Sequence, residues 1–141
     1  MSDAFRVEVR SVDGGPTALG WGDGSVSLVV DRPLRAGGRG PGFNGGQLLN
    51  LAVAGCISND LFREPAKRGI TLQRVAITAD SDYQGDPAVA TAIEYTVEVD
   101  GDAEQDVLDE LVAHVDAIAD PASIRNGMPV THLRRRDGAS G

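Results

Sequence analysis
Cysteine is almost missing from this sequence. Cys56 is the only one, so no intrachain disulfide can form, and a reducing cytoplasm is the expected location. Histidine is nearly as scarce: His114 and His132 lie far apart in sequence and far from Cys56, which gives no metal-ligand spacing. No apolar run approaches the roughly 20 residues that a membrane helix needs. Basic residues are few as well. Lys and Arg number 13 against 21 Asp and Glu, and the net charge of -8 argues against nucleic acid or an anionic membrane as partner. The opening MSDAFRVEVR carries charge and lacks the apolar centre of a secretory signal, so none is expected. The glycine-rich GGRGPG is not followed by Lys-Ser or Lys-Thr, which excludes a P-loop, and no nucleotide, haem or flavin fingerprint occurs. No cofactor is therefore expected.

What is present reads as one α+β domain over residues 1–141, with the hydrophobic content of a globular protein (41%). Phe5, Val7 and Val9 alternate with charged residues as in a half-buried strand, and Val26, Leu28 and Val30 repeat that period after a turn at Asp13–Pro16. Gly20 to Gly24 reads as a bend, and residues 31–46 as a glycine-rich loop. A long helix then starts at Asn44, which with Gln47 forms a variant capping box. Its residues Leu48, Leu49, Leu51, Val53, Cys56 and Ile57 cover every side, so the helix needs cover all round. Pro65 and Lys67-Arg68-Gly69 end it. Residues 74–79 and 93–99 alternate as two further strands. Asp102 and Gln105 open a second helix striped by Val107, Leu108, Leu111, Val112, Val115 and Ile118. Asp120-Pro121 starts a short third helix that Gly127 ends, and Pro129 to Arg135 reads as a last strand. One further long helix and about five strands are too little to surround the apolar helix, so a second copy of the chain is expected to complete its cover as a homodimer.

The segment Gly-Pro-Gly-Phe-Asn44, the run Gln47-Leu48-Leu49, Ala54-Gly55-Cys56, Lys67-Arg68-Gly69-Ile70 and the stretch Pro121 to Val130 together resemble the OsmC/Ohr family of thiol-dependent hydroperoxide reductases. The resemblance implies antiparallel sheets around a buried central helix in an intertwined homodimer, with active sites at the subunit interface. It also implies a cysteine thiolate that attacks a peroxide, becomes a sulfenic acid and is resolved by a second cysteine. Two features depart from that pattern. Asp120 stands where the resemblance places the resolving cysteine. The helix start reads Asn44-Gly45-Gly46 where the family has Asn-Pro-Glu, so the glutamate that orders an arginine beside the thiol is absent. Arg35 and Arg39 lie in the loop from which such an arginine would come.

Cys56 thus has two readings, a small buried hydrophobe or a nucleophile lining a site. In the first functional expectation Cys56 reduces organic hydroperoxides alone, an external thiol serves as reductant, and Arg39 or Arg35 lowers the thiol pKa. In the second, the dimer binds a small apolar ligand without redox turnover. A third makes Cys56 and Asp120 a hydrolytic pair. Asp120 is either a helix cap or a carboxylate beside the thiol, and in the latter place it pushes the thiol pKa up. His114 is expected as a packed histidine and His132 on a solvated strand. Trp21 and Phe43 are candidates for lining a pocket or the core.

Overall fold
The computed structural model describes residues 5–23 and 26–134. Three strands come first, β1 (Val7–Ser11), β2 (Ala18–Gly22) and β3 (Ser27–Val30), then a single 3-10 turn (Leu34–Ala36) and the long helix α1 (Gly45–Ala66). A hairpin of β4 (Leu72–Gln84) and β5 (Val89–Gly101) follows, then α2 (Gln105–Ile118) and α3 (Pro121–Arg125). This is the α+β order expected from the sequence. The elements gather into two compact units, Met1–Gly55 with Ile77–Thr96, and Cys56–Ala76 with Val97–Gly141.

In the first unit β1, β2 and β3 form an antiparallel sheet with Val9 opposite Gly20 and Gly20 opposite Leu28. The bend expected at Gly20 to Gly24 is corrected here. Gly20 and Gly22 are strand residues, because small side chains at 18, 20 and 22 share one face and leave room for their neighbours; Gly24 lies outside the described residues. The glycine-rich loop returns along β3, where Phe43 N–H donates to Val29 O and Asp31 N–H to Phe43 O. At Gly38 and Gly42 a Cβ would collide with the carbonyls of Arg32 and Val29, so the loop can run this close only with glycine there. The capping box forms as expected: Asn44 Oδ1 accepts from Gln47 N–H and Gln47 Oε1 from Asn44 N–H, both at 2.9 Å.

β4 and β5 are thirteen residues each, longer than their alternation marks. Ile93, Tyr95, Val97 and Val99 face inward as expected, but residues 82–84 and 89–92 are exposed and carry no period-two signal. The short turn at 85–88 ties them into an antiparallel hairpin.

The second unit holds the larger buried apolar side chains, Ile57 and Leu61 of α1 with Leu108, Leu111 and Val115 of α2. Ile118, placed on that stripe by periodicity, is instead exposed at the helix end. The start of α2 is also corrected: Glu104 holds the cap position, while Asp102 accepts from Thr71 N–H at 2.7 Å and its own N–H donates to Thr71 O. The carboxylate therefore ties off the base of the hairpin instead of a helix. Past Pro65, Gly69 takes φ +69 and Ile70 N–H reaches back to Pro65 O, a Schellman ending for α1.

The strand expected over Pro129 to Arg135 does not form. Residues 128–134 are irregular and exposed, with no neighbouring strand among the described residues, and Arg135 lies outside them. Nor does one chain cover α1 on every side: Val53, Ile57 and Leu61 are buried, whereas Leu51 is 48% exposed and Leu49 37%. Among the described residues no helix is long and apolar enough to cross a membrane, and no group of three His, Cys, Asp or Glu side chains could hold a metal ion.

Candidate functional site
Cys56 occupies the middle of α1, half-buried. Its Sγ lies 3.6 Å from Oδ2 of Asp120. Asp120 stands at the cap position of α3 but is itself helical (φ -50, ψ -31) and makes no side-chain cap bond. Its backbone carbonyl accepts from Ser123 N–H, which holds the turn and leaves the carboxylate free to accept a hydrogen bond from the thiol. So the cap reading of Asp120 is replaced by a thiol–carboxylate pair. Burial pushes the Cys56 pKa above its ordinary value, and the charge and hydrogen bond of Asp120, then the charge of Asp60, push it the same way. Asp60 is four residues on along α1, on the same helical face, a spacing that the sequence displays and that the sequence reading passed over.

The two arginines considered for the thiol are found in the first unit. The Arg39 guanidinium lies 3.6 Å from Asp13 Oδ2, and its backbone N–H donates to Asp31. Arg35 sits in the 3-10 turn on the wall of a cleft. Within the second unit, the carboxylates of Asp120 and Asp60 are the charges that raise the Cys56 pKa.

Glu64 is the centre of an ion-pair cluster in the second unit. Glu64, 7% exposed, accepts from Lys67 Nζ at 3.0 Å and Arg63 Nε at 3.2 Å. The hydrogen bond from Lys67 above all holds its pKa below the ordinary value. His114 places Nε2 3.8 Å from Glu64 Oε2, and His132 is exposed on the irregular segment.

The cleft of the first unit is an open groove of about 610 Å³ between the glycine-rich loop, the start of α1 and β4. Arg32, Arg35, Asn50, Ser81 and Tyr83 are among its lining residues; Trp21 and Phe43 are not. Instead, the Arg10 guanidinium lies over the Trp21 ring, 5.4 Å from its centre. The Tyr83 hydroxyl fills the place where a side chain at Gly46 would begin, 2.6 Å from an ideal Cβ there. Asn50 Nδ2 donates to Ser81 Oγ at 3.0 Å. Beneath the loop, Asp31 is 2% exposed and accepts from Arg32 N–H, Thr17 Oγ1, Arg39 N–H and Gly40 N–H. Burial alone would raise its pKa; these bonds together outweigh that and bring it below the ordinary value. Nothing in the sequence pattern singles out Tyr83 or Asn50, because their meeting depends on the hairpin folding back to the helix start.

The fold that carries these residues is one that known proteins share. Residues 37–132 match the family model described as OsmC-like protein. The solved structure of an OsmC-like protein from Mycoplasma pneumoniae superposes with a TM-score of 0.76 at 14% identity, over 91% of each chain. An organic hydroperoxide resistance protein OsmC from Legionella pneumophila gives 0.61 at 19% identity, covering 89% of this chain and 90% of that one. OhrB of Bacillus subtilis, an organic hydroperoxide resistance protein, gives 0.61 at 19%, covering 89% and 93%. No curated protein sequence matches the chain significantly. With the family model spanning the helix start, Cys56 and Asp120 alike, the chain belongs to the OsmC-like protein family.

Proposed function
We propose that this OsmC-like protein binds a small ligand and keeps Cys56 as a neutral thiol, outside any peroxide-reducing cycle. The observation that carries this reading is the 3.6 Å approach of Cys56 Sγ to Asp120 Oδ2. A peroxidatic cysteine attacks as the thiolate. Burial, Asp120 and Asp60 all disfavour that form here. The cleft of the first unit gives a ligand room. The working form in this reading is a homodimer, which the open apolar side chains Leu49 and Leu51 support, and a cytoplasmic location suits a lone free thiol. Sedimentation at micromolar concentration tests the dimer, and a monomer would remove it. The functional test is consumption of an alkyl hydroperoxide with excess dithiothreitol by wild type and Cys56→Ser. Equal, slow consumption is expected; a wild-type rate far above that of the variant refutes the proposal.

A second reading is a single-cysteine organic hydroperoxide reductase with an external thiol as reductant. The half-exposed thiol beside a proton acceptor favours it, as do the names of the Legionella pneumophila and Bacillus subtilis relatives. In that scheme Asp120 takes the thiol proton while Sγ attacks the distal peroxide oxygen. The O–O bond breaks, the proton passes to the departing alkoxide, and the products are a sulfenic acid and an alcohol. Trapping that sulfenic acid with dimedone after one equivalent of peroxide would favour it over the first.

A further inference from the structure
We propose that the cleft at the start of α1 binds a small organic carboxylate, held by the guanidinium groups of Arg32 and Arg35. This rests on the ligand-binding reading above and names the class of ligand. The volume, about 610 Å³, is that of an ordinary small-molecule site, for which about 300–1,000 Å³ is usual. Arg32 and Arg35 both line it, and among the described residues neither guanidinium has a hydrogen-bonded or ion-paired partner. Arg39, Arg63, Arg68, Arg74 and Arg125 each lie beside a carboxylate. In a chain with 21 acidic residues against 13 basic ones, two unpaired arginines on one cleft are a local reversal of charge.

The helix-start and apolar walls agree with an anion that has a carbon body. Asp31, the acid of the lining, is 2% exposed and committed to Thr17 and three backbone amides of its own loop. On the helix side, the Gly45 and Gly46 amides begin a 22-residue helix and have no hydrogen-bond acceptor among the described residues. They add a favourable partial charge to that wall. Asn44 and Gln47 are occupied with each other in the capping box. Pro16, Val30, Pro33 and Ala36 supply apolar surface on which an aliphatic skeleton can lie, and a bare inorganic anion would leave that surface wet. A planar carboxylate also suits the forked donors of arginine.

The test is titration of wild type, Cys56→Ser and the double variant Arg32→Gln/Arg35→Gln with hexanoate, its neutral isostere hexanamide, and inorganic phosphate. Binding is followed by calorimetry and by the shift in Tm. Hexanoate is expected to bind wild type and Cys56→Ser alike, more weakly as salt is added, and to bind the double variant at least tenfold more weakly. Circular dichroism and the unliganded Tm of the double variant should match wild type, since both arginines are exposed. Hexanamide or phosphate binding as well as hexanoate, hexanoate binding the double variant undiminished, or no hexanoate binding at all would overturn the assignment. Hexanamide bound equally by all three proteins would sink the carboxylate alone and leave the ligand-binding reading standing. Hydroperoxide turnover that depends on Cys56 would sink that reading whatever the cleft binds.

Discussion

Replacing Asp120 by asparagine removes the negative charge nearest Cys56 and keeps the shape of the side chain. At the observed 3.6 Å, two unit charges repel by about 1 kcal/mol even in a dielectric as high as that of water. The half-exposed setting of the thiol makes that the appropriate end of the range. Relief of about 1 kcal/mol multiplies the thiolate population at a fixed pH about fivefold. Part of the gain is given back, because a more acidic thiolate is a poorer nucleophile, with a Brønsted slope of about 0.4–0.5. The net expectation is alkylation of Cys56 about two- to threefold faster at neutral pH, where the thiolate fraction is small. The assay is the second-order rate with iodoacetamide as a function of pH, with Cys56→Ser as the blank and circular dichroism as the check on folding. The midpoint of the rate profile should move to lower pH in Asp120→Asn and, to a smaller extent, in Asp60→Asn, whose charge is the weakest of the acting causes. An Asp120→Asn protein that is folded and alkylates no faster than wild type would refute the claim that this carboxylate suppresses the thiolate.

Leu61→Ala removes a fully buried side chain and should cost about 3 kcal/mol, lowering Tm by about 10 °C; a fall below about 3 °C would mean that the site is not tightly packed. Asn44→Ala breaks the reciprocal capping box and should cost about 1 kcal/mol, read from urea unfolding; an unchanged midpoint would mean that other groups satisfy the helix start. Asp31 has its folded-state pKa below the ordinary value, so its stabilising effect is complete above the unfolded pKa of about 3.9 and is lost as pH falls through the lower folded value. Between about pH 5 and about pH 3 the Tm of wild type should therefore fall more steeply than that of Asp31→Asn; parallel curves would count against this linkage.

The capping box at Asn44, the stop at Gly69 and the inward face of β5 were legible in the sequence because each depends on residues a few positions apart. The last strand was misread for the complementary reason. Val130, Thr131 and Leu133 have strand-like composition, but a strand needs a partner, and composition says nothing about whether one lies alongside. Asp102 was misread because Asp at a helix start and Asp tying off a hairpin look alike until Thr71 is placed beside it. At the candidate site, Asp120 could be named from its position ahead of Pro121, whereas its turn toward Cys56 joins residues 64 apart in the chain. The cleft was least legible of all: Arg35 could be named from its loop, but that Asn50 and Tyr83 line the same wall depends on a hairpin far along the chain.

The two departures from the family pattern act in one direction. At the helix start there is no carboxylate at Gly46, and the Tyr83 hydroxyl occupies the space a side chain would enter. Beside the thiol there is a carboxylate, Asp120, where a resolving sulfur is expected. A negative charge is thus missing at the helix start, where the resemblance to the family implies one, and present where it raises the thiol pKa. Neither change strains the scaffold. The capping box and the Gly69 ending of α1 are built from residues other than Cys56 and Asp120. Residues that build the fold and residues that would drive thiol chemistry are therefore separable in this chain, and the chemistry can change while the fold persists. It follows that Cys56→Ser, which exchanges one small half-buried side chain for another that can still donate to Asp120, should leave Tm within a few degrees of wild type. A large loss of stability in that variant would mean that the thiol is packing after all, and that fold and thiol chemistry are not separable in this chain.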